Sequence, residues 1–150
     1  MPLRRDHLPA LCAILGETPE FTPDEVVVAL EVLEDALTTT GMVALVAEQA
    51  GSVMGYACFG DTPMTAGTYD LYWIAVAQTA KRRGIGRALV EAMLDLLRQR
   101  SARLIRVETE GGPSYAATRA FYERTGFTFG AEIAHFYAPD RALVVFVKYM

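Results

Sequence analysis

One segment limits the possible folds more than any other. An apolar run, Leu71-Tyr72-Trp73-Ile74-Ala75-Val76, leads through Lys81-Arg82-Arg83-Gly84-Ile85-Gly86-Arg87 into a helical pattern, Ala88-Leu89-Val90-Glu91-Ala92-Met93-Leu94. That order reads as strand, glycine turn and helix start. Gly84 and Gly86 can take positive φ and let the backbone come close to a ligand. The first-turn N–H groups of the helix lack intrahelical partners and sit at its positive end, so a phosphate is accommodated there without special chemistry. The same stretch also reads as a tight connection with solvated basic side chains, and an isolated Gly-x-Gly does not decide between the two.

The basic turn stands out because the whole chain is acidic. Its 150 residues carry a net charge of −4, which argues against general binding of nucleic acid or anionic membrane. Hydrophobic residues make up 52% of the chain, yet no apolar run reaches the roughly 18 residues of a membrane span. One domain is expected, large enough to bury about 70% of its unfolded surface. Cys12 and Cys58 lie far apart with no Cys-x-x-Cys spacing, so neither zinc nor a disulfide framework is suggested, and both are expected to be buried. The opening Met1-Pro2-Leu3-Arg4-Arg5 faintly imitates a secretory signal. Asp6 and His7 interrupt it and no Ala-x-Ala follows, so an amphipathic helix and a cytoplasmic protein are expected.

Apolar residues at helical spacing predict helices over residues 6–15 and 24–37, with Thr22 or Asp24 as N-cap. Met42–Glu48 and Val53–Phe59 read as strands joined by a hairpin loop, Gln49-Ala50-Gly51-Ser52, and Tyr69–Val76 as a third strand. A helix to about Arg100 carries its apolar stripe at Leu89, Val90, Met93, Leu94 and Leu97. Arg103–Thr109 is a strand broken by Gly111-Gly112-Pro113, and Ser114 is available to cap a helix from Tyr115 to Arg124 that stops at Gly126. Strands at Phe127–Tyr137 and Leu143–Tyr149 finish the chain. The expected fold is α/β (α+β): a mixed, mostly antiparallel sheet of about six to seven strands flanked by about four helices.

A nucleotide P-loop needs Gly-x-x-x-x-Gly-Lys-Ser/Thr, and a dinucleotide fingerprint needs a third glycine where this chain has Leu89. A second element narrows the turn's purpose: Phe121-Tyr122-Glu123-Arg124-Thr125-Gly126-Phe127, a helix end whose glycine drops into a strand. Together the two elements resemble the GNAT superfamily of N-acetyltransferases, which carries Gln/Arg-x-x-Gly-x-Gly/Ala and, downstream, Phe-Tyr-x-x-x-Gly-Phe. Three positions depart from that pattern. Lys81 stands where Gln or Arg is usual, Tyr115 stands where Asn is frequent seven residues before the tyrosine, and only Pro2-Leu3-Arg4 is available for a first strand.

The resemblance implies an N-acetyltransferase that moves an acetyl group from acetyl-CoA to a primary amine by direct attack, releasing CoA, with no metal. It implies cofactor contacts from Ile74, Val76, Lys81, Arg82, Arg83, Gly84, Ile85, Gly86, Arg87 and Tyr115. It also implies an oxyanion donor in the Val76 N–H, freed by a strand bulge, and a general acid in Tyr122. Asp70 falls where the family commonly has a catalytic glutamate, so it is expected to act as general base, directly or through a water. Each role has a plain alternative: Asp70 as a solvated strand start, Tyr122 as core packing beside Phe121. The acceptor side is expected to draw on the first two helices, the Asp61–Gly67 loop and the His135-Phe136-Tyr137 stretch, with Glu17, Glu20 and Asp61 able to attract an amine. A small-molecule or peptide acceptor and a homodimer are the expected partners. Two other readings remain open: an acyl-CoA-binding module without catalysis, and a serine hydrolase whose elbow is Gly112-Pro113-Ser114-Tyr115-Ala116.

Overall fold

The two-residue hairpin at Ala50-Gly51 starts the sheet. Both residues have positive φ, 51° and 78°, as a type I′ turn requires, and they reverse Met42–Gln49 (β1) into Ser52–Asp61 (β2). The computed structural model describes residues 1–150. Thr68–Val76 (β3) adds antiparallel to β2, and Leu104–Glu110 (β4) adds parallel to β3. Thr128–Ala138 (β5) and Arg141–Tyr149 (β6) form a hairpin whose second strand pairs antiparallel with β4, giving the order β1-β2-β3-β4-β6-β5. This is the expected mixed sheet, with six strands. Residues 1–3 run beside β1: the Leu3 N–H donates to the Ala44 carbonyl at 2.9 Å, and the Val46 N–H donates to the Met1 carbonyl at 2.7 Å. The short opening segment therefore serves as a minimal edge.

Helices cover both faces. Leu8–Glu17 (α1) and Pro23–Thr38 (α2) bury Leu11, Ile14, Leu15, Ala29 and Leu33 against Val46, Tyr56 and Cys58. Thr22 caps α2 by accepting from the Glu25 N–H at 3.2 Å. Ile85–Gln99 (α3) buries the expected stripe of Leu89, Val90, Met93, Leu94 and Leu97 on the other face. Ala116–Arg124 (α4) joins it through Tyr122, beside Ile105, Val107, Phe127 and Phe146. No helix is long and apolar enough to cross a membrane.

Three local expectations change. Cys58 is buried but Cys12 is exposed, because on α1 it lies about 100° around the helix from the inward-facing Leu11. Ser114 does not cap α4: it sits in a 3₁₀ turn, Pro113–Tyr115, and Tyr115 occupies the cap position without a side-chain bond. Gly86 lies within α3, and its lack of a side chain serves packing instead of a positive φ.

What positions the site is a parting of the sheet. β3 and β4 pair only from Thr68 to Leu71, against Leu104 to Val107. On the other side of β3 the register with β2 shifts between Cys58 and Phe59, which leaves Tyr72 as an extra residue. An extra residue bends and twists its strand, so Tyr72–Val76 turns away from Glu108–Glu110 and a cleft opens between them.

Candidate active site

The cleft holds about 1220 Å³, more than the few hundred Å³ that one small ligand fills. Its walls are the parted ends of β3 and β4, the starts of α3 and α4, and the connection between α1 and α2.

One end is basic. Gly84 caps α3 with φ at +79°, and the Ala88 N–H donates to the Gly84 carbonyl at 2.9 Å. The N–H groups of Ile85, Gly86 and Arg87 therefore precede the first helical bond and are open to an anion. Lys81, Arg82, Arg87 and Arg124 line this end. Arg82 itself has φ at +63°, a conformation an L-residue rarely adopts. The Arg83 side chain departs from expectation: it donates to the Gln49 Oε1 at 2.7 Å and does not line the cleft. Arg87 pairs with Glu91 at 2.9 Å on the exposed face of α3.

Along the β3 wall the backbone is available. The Ala77 N–H donates to the Met54 carbonyl at 2.8 Å. Bonded and non-bonded pairs alternate along an antiparallel ladder, so Val76 opposite Gly55 and Ile74 opposite Ala57 direct their N–H groups away from β2. On that side β4 has already departed. The bulge sits at Tyr72, four residues before Val76, and it is the loss of β4 that frees the amide.

In the middle stands Tyr122, 5% exposed, with its ring among Phe121, Phe127 and Phe146. It lines the cleft, and its hydroxyl makes no hydrogen bond within the protein. Burial pushes its phenol well above the ordinary range, so it stays protonated as a donor.

The other end is acidic and aromatic. Glu20, Phe21, Glu25, Tyr72, Glu108, Glu110, Tyr115, Tyr137 and Arg141 line it. Arg141 holds the Glu110 carboxylate with two bonds of 2.8 Å, which lowers that carboxyl's pKa, and lies 5.9 Å over the Tyr137 ring. The Tyr115 hydroxyl donates to the Glu20 carbonyl at 2.9 Å, and its phenol is pushed up to about 12, first by burial and then by Glu25, Glu110 and Glu20. Glu108 is the first β4 residue past the point of parting, its side chain 46% exposed and 3.9 Å from the Arg106 guanidinium.

The profile of the Acetyltransferase (GNAT) family matches residues 8–127. The chain belongs to the GNAT acetyltransferase family. A GNAT-family protein from Desulfovibrio desulfuricans is 36% identical, with a TM-score of 0.93 over 99% of this chain and 96% of its own. A ribosomal-protein-alanine N-acetyltransferase from Brucella melitensis is 26% identical, with a TM-score of 0.79 over 100% of this chain and 98% of its own. The 5-NmdU N-acetyltransferase of Pseudomonas phage PaMx11 is 36% identical over 87 residues, which are 58% of each chain, so this GNAT chain matches little more than half of that relative's length.

Within this GNAT fold Asp70, the expected general base, lies off the cleft. Asp70 is 8% exposed and does not line the cleft; its carboxylate accepts from the Arg106 Nε at 2.6 Å and from the Thr62 hydroxyl at 2.8 Å. The hydrolase arrangement is not assembled either. Ser114 is exposed, His7 is buried beside Glu48 at 2.9 Å, and His135 accepts from the Asp140 N–H, so neither histidine reaches the cleft. Residue-level reading of the sequence missed Glu25, Glu108, Glu110 and Arg141. A carboxylate alternating outward on a strand gives no sign of facing a cleft until the strand's neighbour is known to leave.

Proposed function

We propose that this GNAT protein transfers the acetyl group of acetyl-CoA to a primary amine by direct attack within a ternary complex. The observation that carries this reading is the parted β3/β4 pair, with a basic helix start at one end, carboxylates at the other and the unpartnered Tyr122 hydroxyl between. The residues suit the cofactor. Open N–H groups at Ile85, Gly86 and Arg87, with Lys81, Arg82 and Arg124 around them, would hold the pyrophosphate. The Ile74 and Val76 amides would bond the chain that runs inward from it, with Val76 facing the oxygen that gains charge as the amine adds. The names of the Brucella and phage relatives, both N-acetyltransferases, support an amine as acceptor.

An ammonium must lose a proton before it attacks. Asp70 is held by Arg106, and Glu110 by Arg141, so we assign the proton to Glu108, whose nearest cation is 3.9 Å away. The amine nitrogen then bonds to the acetyl carbon, the carbon–sulfur bond breaks, the sulfur leaves with the electron pair and takes the Tyr122 proton, and the acylated nitrogen gives up its second proton, which restores the Tyr122 phenol. The sum of the steps is amide, CoA thiol and one proton released to water. Burial that raises the Tyr122 phenol raises a thiol in the same surroundings as well, so the transfer stays only slightly uphill. A cytoplasmic setting and a homodimer go with this reading. The dimer has an available face in edge strand β5, where Phe129, Ile133 and Phe136 are exposed.

Acetyl-CoA at 100 times its Kd should stabilise the protein by about 2.7 kcal/mol, a rise of roughly 5–10 °C in Tm for this chain length. An amine should then release CoA thiol. A shift in Tm without thiol release across a broad amine panel would identify a silent binding module, and no shift at millimolar acetyl-CoA would end the proposal.

A further inference from the structure

On the reading just given, the lining of the acceptor end narrows the amine. Four carboxylates, Glu20, Glu25, Glu108 and Glu110, face the cleft there against one cation, Arg141. Arg141 is engaged by Glu110 through Nε and Nη2, each at 2.8 Å. Glu20 and Glu25 make no ion pair, and Glu108 has only the Arg106 guanidinium, 3.9 Å away, so three carboxylates remain without a close cation in the cleft lining, and they occupy two places. Glu108 lies at the point where the strands part, next to the catalytic centre. Glu20 and Glu25 lie across the cleft, on the connection into α2 and on its first turn.

Tyr137 stands between the two places. Its phenol is raised first by burial and then by Glu108, Glu110 and Glu25, so all three charges reach it, and its ring is half exposed. An aromatic surface between two anionic places suits a hydrocarbon chain with a cation at either end. The unpartnered Tyr122 hydroxyl, in a side chain 5% exposed, fixes which end reacts. A monocation bound at Glu108 would leave Glu20 and Glu25 without a counter-charge, whereas a second cation supplies one.

We propose that the acceptor is a small oligoamine, with one primary amine at Glu108 and at least one further positive charge at Glu20 and Glu25. The acyl transfer is as above: the terminal nitrogen gains the acetyl group, sulfur leaves as CoA thiol, and the second cation stays protonated and unchanged.

The experiment compares initial rates of thiol release for a linear monoamine, diamine and triamine matched in chain length, with acetyl-CoA saturating. The diamine should exceed the monoamine in kcat/KM by about tenfold or more, mainly through KM, and the margin should shrink at about 0.5 M salt, where charges are screened within a few ångströms. Glu25→Gln retains the capping geometry that Glu and Gln share, and should remove most of the diamine's margin while the acetyl-CoA shift in Tm persists. Equal kcat/KM across the series with that shift intact would overturn the oligoamine assignment and leave the acetyltransferase reading standing. A lysine-containing peptide acetylated better than every small oligoamine would also overturn it. Loss of the acetyl-CoA shift in the unaltered protein would instead count against the acetyltransferase reading itself.

Discussion

On the proposed mechanism Tyr122 carries two functions on one side chain, and they can be separated. Its ring fills space among Phe121, Phe127 and Phe146, while its hydroxyl has no partner in the protein. Tyr122→Phe keeps the ring and removes an unsatisfied group, so Tm should change by under about 1 kcal/mol equivalent. The turnover number should fall by about 10²- to 10⁴-fold, the range of general acid–base catalysis, with acetyl-CoA affinity within about threefold. Steady-state kinetics beside a Tm titration would check both parts, and undiminished turnover would remove Tyr122 from the chemistry. The sequence singled out this tyrosine because Gly126 and Phe127 follow it at fixed spacing, and it lines the cleft. Asp70 was equally readable by its distance before the glycine turn, but nothing local reveals that Arg106, on the neighbouring strand, bonds its carboxylate.

At the scale of the element, α3 was legible almost whole, since a helix writes its buried stripe into its own sequence. Its two opening glycines were legible as glycines but not in their reasons. Gly84 needs its positive φ of 79°, with open space around a Cβ. Gly86 has an ordinary φ, but a Cβ would come within 3.1 Å of the Phe121 ring. Gly84→Ala should therefore cost about 1–2 kcal/mol of backbone strain, and Gly84→Asn less, because Asn tolerates that region. Gly86→Ala should cost about 1–3 kcal/mol by overpacking. Combining each with Phe121→Leu separates the causes by thermal melts. The second change should recover much of the loss at Gly86 and none at Gly84, whereas simple additivity at both sites would refute the packing account. Cys12 and Ser114 show the limit of element-scale reading: the first turns on helix phase and the second on a 3₁₀ turn that no capping rule anticipated.

For the molecule as a whole, a net charge of −4 conceals a cleft basic at one end and acidic at the other. That separation arises only when β4 leaves β3, so it was not legible in composition, and Glu110 and Arg141 come together only through the non-local pairing of β4 with β6. The same parting divides the sheet into β1-β2-β3 and β4-β6-β5, joined by four residue pairs. Across the opening, the Tyr115 hydroxyl reaches the Glu20 carbonyl at 2.9 Å and ties the start of α4 to the connection between α1 and α2. Tyr115→Phe keeps the ring and breaks that tie. The loss of one hydrogen bond should cost about 0.5–1.5 kcal/mol, lowering Tm by roughly 2–5 °C at this chain length. Because the tie holds Glu20 and Glu25 over the acceptor end, KM for the amine should rise by about threefold or more, while the acetyl-CoA titration stays unchanged. Tyr115 was expected from the sequence to touch the cofactor, and the two roles diverge in this measurement. Weakened acetyl-CoA binding with an unaltered amine KM would assign Tyr115 to the cofactor, and the clasp between the halves of the sheet would have to be sought elsewhere.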